Sequence, residues 1–302
     1  MSAVTPHDQD ASGAAEHDWE NTFSELYQRL GPETKQAIVD LLPDDWSFEG
    51  KRMLDFGSGP GRTLRHFLPE AESAEFWGAD IDAASIAQLE ASLCPPMHAW
   101  RCAGGPPLGL EHGSFDLIWA ISVFTHLTDT SLAWLLELHR LLKPGGLLIA
   151  TYIGQWHSEL VAGEPWDENR VGMNVIGHGQ GWNRGTPMVL MSDWWVRAHW
   201  GRAFEILEIE PQIHNMSWAL MRKRDVELIT ADLEAPEDDP REYYAVQHNV
   251  HQTEAEIEQA QREHAARLAE LGREYESSPS WRLTRPLRAG AQLARRLRAR
   301  PR

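Results

Sequence analysis

The sequence predicts an α/β fold, a mostly parallel sheet with helices on its faces, and three observations predict it. Residues 53–67, MLDFGSGPGRTLRHF, place a short apolar run directly before a glycine-rich turn and then restart as a helix. A second apolar run, AEFWGADI, ends near Asp80, about twenty residues past that turn. A third, FDLIWAISV from Phe115 to Val123, is apolar on both faces, as a central parallel strand is.

The glycine turn carries the most chemistry. Met53, Leu54 and Phe56 suit a buried strand. Gly57, Gly59 and Gly61 let the backbone turn tightly and leave amides uncovered, and Thr63 to Phe67 offers a helix N-terminus to a ligand. A dinucleotide fold would place its third glycine where Arg62 stands, so the spacing fits a pyrophosphate poorly. Asp55, inside the strand, would repel a diphosphate and can reach back to an ammonium group.

Asp55 to Gly61 resembles the first motif of the class I S-adenosylmethionine-dependent methyltransferases. Asp80, the SVFTHL segment after the third run above, and LHRLLKPGGLLIATY match the same family in order, over roughly residues 50–152. The resemblance implies a Rossmann-like sheet of seven strands with the last one antiparallel, S-adenosyl-L-methionine as cofactor, and methyl transfer. Asp80 then accepts hydrogen bonds from the ribose hydroxyls. Asp55, Gly57, Ser58, Gly59, Gly61, Ile81 and Ser122 complete the implied cofactor contacts. Many relatives place an acid after the third strand, near the adenine amino group. This chain has Gly104 there, which leaves adenine to backbone groups around Ala103 and Gly104.

Composition bounds the rest. With 302 residues and 42% hydrophobic content the chain holds one sizeable domain plus appendages. A net charge of -17 excludes a general nucleic-acid binder. Cys94 and Cys102 lack metal-ligand spacing, and nothing resembles the Asp-Asp-Asn arrangement of magnesium-dependent catechol-type enzymes, so no metal is expected. No signal-like N-terminus appears, nor any run of the ~18 apolar residues that a membrane span needs, so the expected location is cytoplasmic.

In chain order, residues 1–18 read as a disordered leader. Trp19 to Leu42 reads as two helices split at Gly31-Pro32; the resemblance implies that this region covers the cofactor, with Tyr27 facing the site or packed in the helix. Asp82 caps a helix over Ala83–Leu93, Met97–Cys102 forms the third strand, and Ser131–Leu142 forms a helix before the strand Leu147–Tyr152. Residues 153–187 lack a period and are rich in Gly, Trp, His and Asn; they read as an acceptor lid or as a packed tryptophan cluster. Six tryptophans, at 156, 166, 182, 194, 195 and 200, fall in or beside it. A helix over 191–202 with Ser192-Asp193 as cap and a hairpin of 204–210 with 216–222 close the domain, 19–224.

His126, where the fourth strand meets the cofactor edge, is the first candidate base for a hydroxyl acceptor; its alternative role is fixing the loop. His157 and His178 in the lid are further candidates. A linker over 225–241 precedes a helix over 242–276, a short coiled coil or a lone solvated helix, with Val250, Ile257, His264 and Leu271 spaced by seven. Trp281 to Arg302 contains eight arginines and no acid, so 277–302 suits an anionic membrane surface or an acidic partner, or is a frayed tail. Its SPSWRLTRPLR resembles a segment that ends coiled-coil regions in bacterial glycosyltransferases of surface-polysaccharide assembly. The implied function is O-methylation of a sugar in a cell-envelope glycan or its precursor, with self-association or an envelope-enzyme partner through 242–302. A cofactor-binding scaffold and a methyltransferase of another small molecule or lipid are the alternatives.

Overall fold

The computed structural model describes residues 16–162, 165–177 and 187–284. The chain divides into two compact units, Met1–His248 and Asn249–Arg302. The first begins with α1, Glu16–Leu41, which runs unbroken through Pro32. Gly31 serves close approach here: a Cβ on it would lie 2.6 Å from His66 Nε2 and 2.7 Å from the Arg62 carbonyl. Lys35 ties the same helix down by donating to the His66 carbonyl at 2.8 Å and to Glu70 at 2.6 Å.

Strand β1, Arg52–Phe56, feeds the glycine turn. The residues after the turn form only a four-residue 3-10 turn, Leu64–Phe67, instead of the expected helix. Then follow β2 (Glu75–Asp80), α2 (Ala83–Leu93), β3 (His98–Arg101), β4 (Phe115–Ala120) and α3 (Ser131–Leu141). Asp82 caps α2 by accepting from the Ser85 amide at 2.8 Å. Strand β5 is longer than its apolar run, Leu142–Tyr152, because Lys143-Pro144-Gly145-Gly146 is absorbed as an irregularity in its pairing with β4.

The 153–187 stretch has regular structure where it is described. It contains α4 (Gln155–Ala162) and β6 (Met173–Ile176), and β6 pairs antiparallel with β7 (Met188–Met191) as a separate two-stranded sheet. After α5 (Asp193–Ala203) come β8 (Phe204–Ile213) and β9 (Met216–Lys223). The main sheet has the order β3-β2-β1-β4-β5-β9-β8. All pairs from β3 to β5 are parallel, and β9 alone runs against its neighbours β5 and β8. This is the seven-stranded sheet with a reversed last strand that the motifs imply.

Alternate residues of the central strands feed two cores. Leu54, Ile118, Leu148 and Ala150 bury on one face; Met53, Leu117, Trp119 and Ile149 bury on the other. Trp194, Trp195 and Trp200 belong to the first core, with Trp200 against Phe124 at 4.9 Å and Tyr152 at 5.9 Å. They are therefore packing residues and not part of a lid. Trp156, 53% exposed, and the partly buried Trp166 are the open aromatics of the stretch among the described residues; Trp182 lies outside them.

The expected linker contains α6, Thr230–Glu234, and the long helix α7 spans Pro240–Ser277. Val250, Ile257 and Leu271 remain about half exposed along it, at 49%, 51% and 51%. No helix among the described residues is long and apolar enough to cross a membrane. Of the expected leader, 1–18, the last three residues belong to α1; residues 1–15 and the tail from residue 285 lie outside the described residues.

The split between core and open tryptophans has a measurable consequence. Trp200→Ala should cost about 3–5 kcal/mol of unfolding free energy in urea titration, as deletion of a fully buried aromatic does. Trp156→Ala should change it by no more than about 0.5 kcal/mol.

Candidate active site

The carboxyl ends of β1, β2 and β4 form one edge of the sheet, where open α/β folds bind ligands. Gly57, Gly59 and Gly61 have φ of +82°, +52° and +80°, the left-handed region that favours glycine. A Cβ at Gly57 would lie 2.3 Å from Val123 Cγ2, and one at Gly61 would lie 2.5 Å from Leu93 Cδ1. The turn is thus pressed onto both the β4 loop and α2, and its amides are not left uncovered as expected: Gly57 and Ser58 donate to the Ala79 carbonyl, Gly59 to Asp80 and Gly61 to the Ser58 carbonyl.

Asp80, at the end of β2, accepts from the Gly59 amide through Oδ2 and from the Asp82 amide through Oδ1, each at 2.8 Å. Each oxygen keeps a lone pair, which is the donor–acceptor set that two neighbouring hydroxyls require. Ile81 follows it, 39% exposed. Ala103 and Gly104 lie exposed beyond β3, and a Cβ on Gly104 would meet open space. Ser58 is buried beside Gly78 and donates to the Gly59 carbonyl at 3.2 Å. Ser122, exposed at φ +60°, donates its amide to Thr151 Oγ1 at 2.7 Å. The residues implied for a nucleoside cofactor thus gather along one edge, and their chemistry fits it.

Asp55 lies buried beneath the turn. Burial raises its carboxyl to about 7; Trp119 and the Arg62 charge oppose that rise, and Asp80 adds to it. Cys102, just past β3, is likewise pushed up to about 11 by burial and by Asp80.

The histidines take separate places. His126 Nδ1 donates to the Pro187 carbonyl at 2.8 Å, and the adjacent Thr125 carbonyl accepts from the Val189 amide at 2.9 Å, so the loop after β4 is stitched to the start of β7. His157 sits on α4, held below its ordinary pKa by burial, with the Asn215 backbone opposing. His178 lies outside the described residues. Among the described residues no three His, Cys, Asp or Glu side chains gather as a metal site.

Two parts of this edge escape the sequence motifs. His214 and Asn215, at φ +50° and +62°, form the two-residue turn between β8 and β9. Because β9 is reversed, its start lies beside the end of β5, Tyr152 opposite Ser217, and the turn reaches the same edge. His214 Nε2 lies 3.6 Å from Glu33 of α1; burial lowers its pKa, Glu33 opposes, and Arg62 adds to the lowering. The signal available in sequence was an Asn at the end of the five-residue gap between the runs 204–210 and 216–222, which β8 shortens to two by extending to Ile213. The second part is Asp193. It does not cap α5; Ser192 does so by accepting from the Trp195 amide, while Asp193 accepts from the Tyr152 hydroxyl at 2.5 Å.

Residues 54–148 match the family model described as a methyltransferase domain. The chain therefore carries a methyltransferase domain, whose cofactor is S-adenosylmethionine. It is similar to the tocopherol O-methyltransferase of Arabidopsis thaliana, 26% identical over 159 residues that cover 45% of this chain and 43% of that protein. It is also similar to a ubiquinone biosynthesis O-methyltransferase of Cereibacter sphaeroides, 32% identical over 133 residues that cover 43% of this chain and 51% of that protein. The chain spans about half the length of the curated relatives it matches. Among solved structures it is similar to an S-adenosylmethionine dependent methyltransferase from Mesorhizobium loti, with 17% identity, a TM-score of 0.46, and coverage of 62% of this chain and 96% of that one.

The raised Asp55 carboxyl sets a pH dependence of the free protein. Between the ordinary value of 3.8 and about 7 the folded state binds more protons at this group than the unfolded state. Its contribution to stability is therefore complete below 3.8 and lost as pH rises through about 7. Urea midpoints measured from pH 4 to 8 should fall for the wild type relative to Asp55→Asn, which has no carboxyl to ionise.

Proposed function

We propose that this domain transfers the methyl group of S-adenosylmethionine to a hydroxyl of a sugar in a cell-envelope glycan or its precursor. The observation that carries the cofactor half is Asp80, fixed by two backbone amides at the carboxyl end of β2 with lone pairs left for a vicinal diol. Asp80 would hold the ribose, the bare glycine backbone of the 57–61 turn and Ser122 would line the amino-acid part, and Ile81, Ala103 and Gly104 would flank adenine. When bound, the cofactor supplies an electrophilic methyl carbon and a neutral thioether leaving group. The protein's part is alignment and exclusion of water.

The acceptor half is supported by the open Trp156 and Trp166, whose faces suit the C–H patches of a sugar ring, and by the resemblance of the SPSWRLTRPLR tail. His126, with Nδ1 given to Pro187, acts in this reading by fixing the loop beside the acceptor. A second reading, favoured by the names of the curated relatives, is O-methylation of another small molecule or lipid.

Calorimetry should show S-adenosylmethionine binding that weakens about 100-fold in Asp80→Ala, the loss of roughly two charge-assisted hydrogen bonds. With labelled cofactor, label should pass to lipid-linked or nucleotide sugars. Transfer only to a lipid or a small phenol would replace the glycan reading, and unimpaired binding by the Asp80 variant would remove the cofactor assignment.

A further inference from the structure

A cleft of about 1000 Å³ opens over the carboxyl ends of β5 and β8 and the start of β9, lined by Gln155, Trp156, Glu159, Trp166, Asp193 and Ser217 among others. It shares its edge of the sheet with the glycine turn, because β5 is parallel to β4 and β1. Its walls combine two indoles, amide and hydroxyl groups, and three carboxylates, those of Glu159, Glu168 and Asp193; among the described residues neither lysine nor arginine lines it, and Arg241 Nη1 lies 4.0 Å from Glu168 Oε1.

We propose that this cleft is the acceptor site, that it takes a hydroxyl-bearing ring without negative charge, and that Asp193 receives the reacting hydroxyl. The proposal rests on the methyltransferase reading above and adds the acceptor's charge class and the residue that meets it.

Asp193 is the carboxylate prepared for that task. Tyr152, fully buried on β5, donates to its Oδ1 at 2.5 Å. Burial, the Asp193 charge and this hydrogen bond all push the phenol far above its ordinary pKa, while the Ser217 hydroxyl that meets it and the Arg197 charge oppose them. The phenol thus remains a permanent donor. Ser192 satisfies the helix cap, so Asp193 is free of that duty, and its side chain is exposed into the cleft with Oδ2 open among the described residues. Glu168 is occupied differently, facing Arg241 Nη1 at 4.0 Å and accepting from Trp166 Nε1 at 2.7 Å, which holds that indole at the cleft wall.

The chemistry balances. While the acceptor oxygen bonds to the methyl carbon and the carbon–sulfur bond breaks to leave a thioether, Asp193 takes the hydroxyl proton at Oδ2. Three carboxylates, of which Glu168 is partly offset by Arg241, repel a uronate or a phosphate, and indole faces attract a neutral or ammonium-bearing ring.

Three probes test this on the full-length protein: methyl glucoside, methyl glucosaminide and methyl glucuronide. Their binding is followed by tryptophan fluorescence with and without S-adenosylhomocysteine. The first two should bind and the glucuronide should bind at least about 10-fold more weakly; Trp156→Ala should weaken the first two about 10-fold. Asp193→Asn keeps an oxygen for Tyr152. It should bind S-adenosylmethionine as the wild type does, yet transfer label about 100-fold more slowly with KM changed less than about twofold. Equal binding of the glucuronide, no glycoside binding, or wild-type turnover in Asp193→Asn would overturn the proposal. Failure of the wild type to bind S-adenosylmethionine is a separate result, which overturns the methyltransferase reading beneath it.

Discussion

The carboxylate of Asp80 is the tie on which the candidate site depends. One oxygen holds the Gly59 amide and the other the Asp82 amide, so a single planar group fixes the glycine turn relative to the start of α2. Bonds of this kind to an ionised acceptor contribute about 1.5–3 kcal/mol each. The Gly57 and Ser58 amides meanwhile donate to the Ala79 carbonyl, at 2.8 and 3.1 Å. The turn is therefore anchored to β2, although it continues from β1. Helix α1 then packs onto the outside of that turn through the bare backbone of Gly31, and Lys35 closes the contact. The side chain proposed to meet the ribose is also what shapes the glycine turn.

This explains which parts of the molecule were legible in sequence. β1, β2 and β4 were readable because a buried parallel strand writes itself as a continuous apolar run, and their ends are marked by Gly57, Asp80 and Ser122. The helix break at Gly31-Pro32 was misread because a glycine carries two possible messages, freedom to turn and room for close approach, and only the neighbour, His66, decides between them. Lys143 to Gly146 reads as a loop by composition but is held in β5 by pairing on both sides of it. The tryptophans of 194–200 look like a binding surface because their residue type is common to interfaces and cores. Helix α5 buries Val196, His199, Trp200 and Ala203 at helical spacing, and the two remaining tryptophans, Trp194 and Trp195, are buried with them.

Asp193 was hidden by the same ambiguity in another form. Ser-Asp before an apolar stretch is a capping signature whichever of the two residues caps. Once the Ser192 hydroxyl takes the Trp195 amide, the acid is released for a partner distant in sequence, Tyr152, forty-one positions away. Local pattern names the pair of residues; only the fold assigns their duties.

The reversal of β9 is what gives the edge its second half. A parallel strand would enter from the far side through a crossover connection, whereas an antiparallel one needs only a two-residue turn, and His214-Asn215 supplies it with both residues left-handed. The pairing that follows sets Ser217 directly opposite Tyr152 and so close to Gly154 that a Cβ there would lie 2.4 Å from Ser217 Oγ. Tyr152 and Ser217 are thereby positioned by sheet register and not by a loop. A phenol held so rigidly can orient the Asp193 carboxylate without any ordering cost at the moment a ligand arrives, which is the condition for a pre-organised site. The reversed strand thus completes the sheet and brings Ser217 to the end of β5, where Tyr152 meets Asp193.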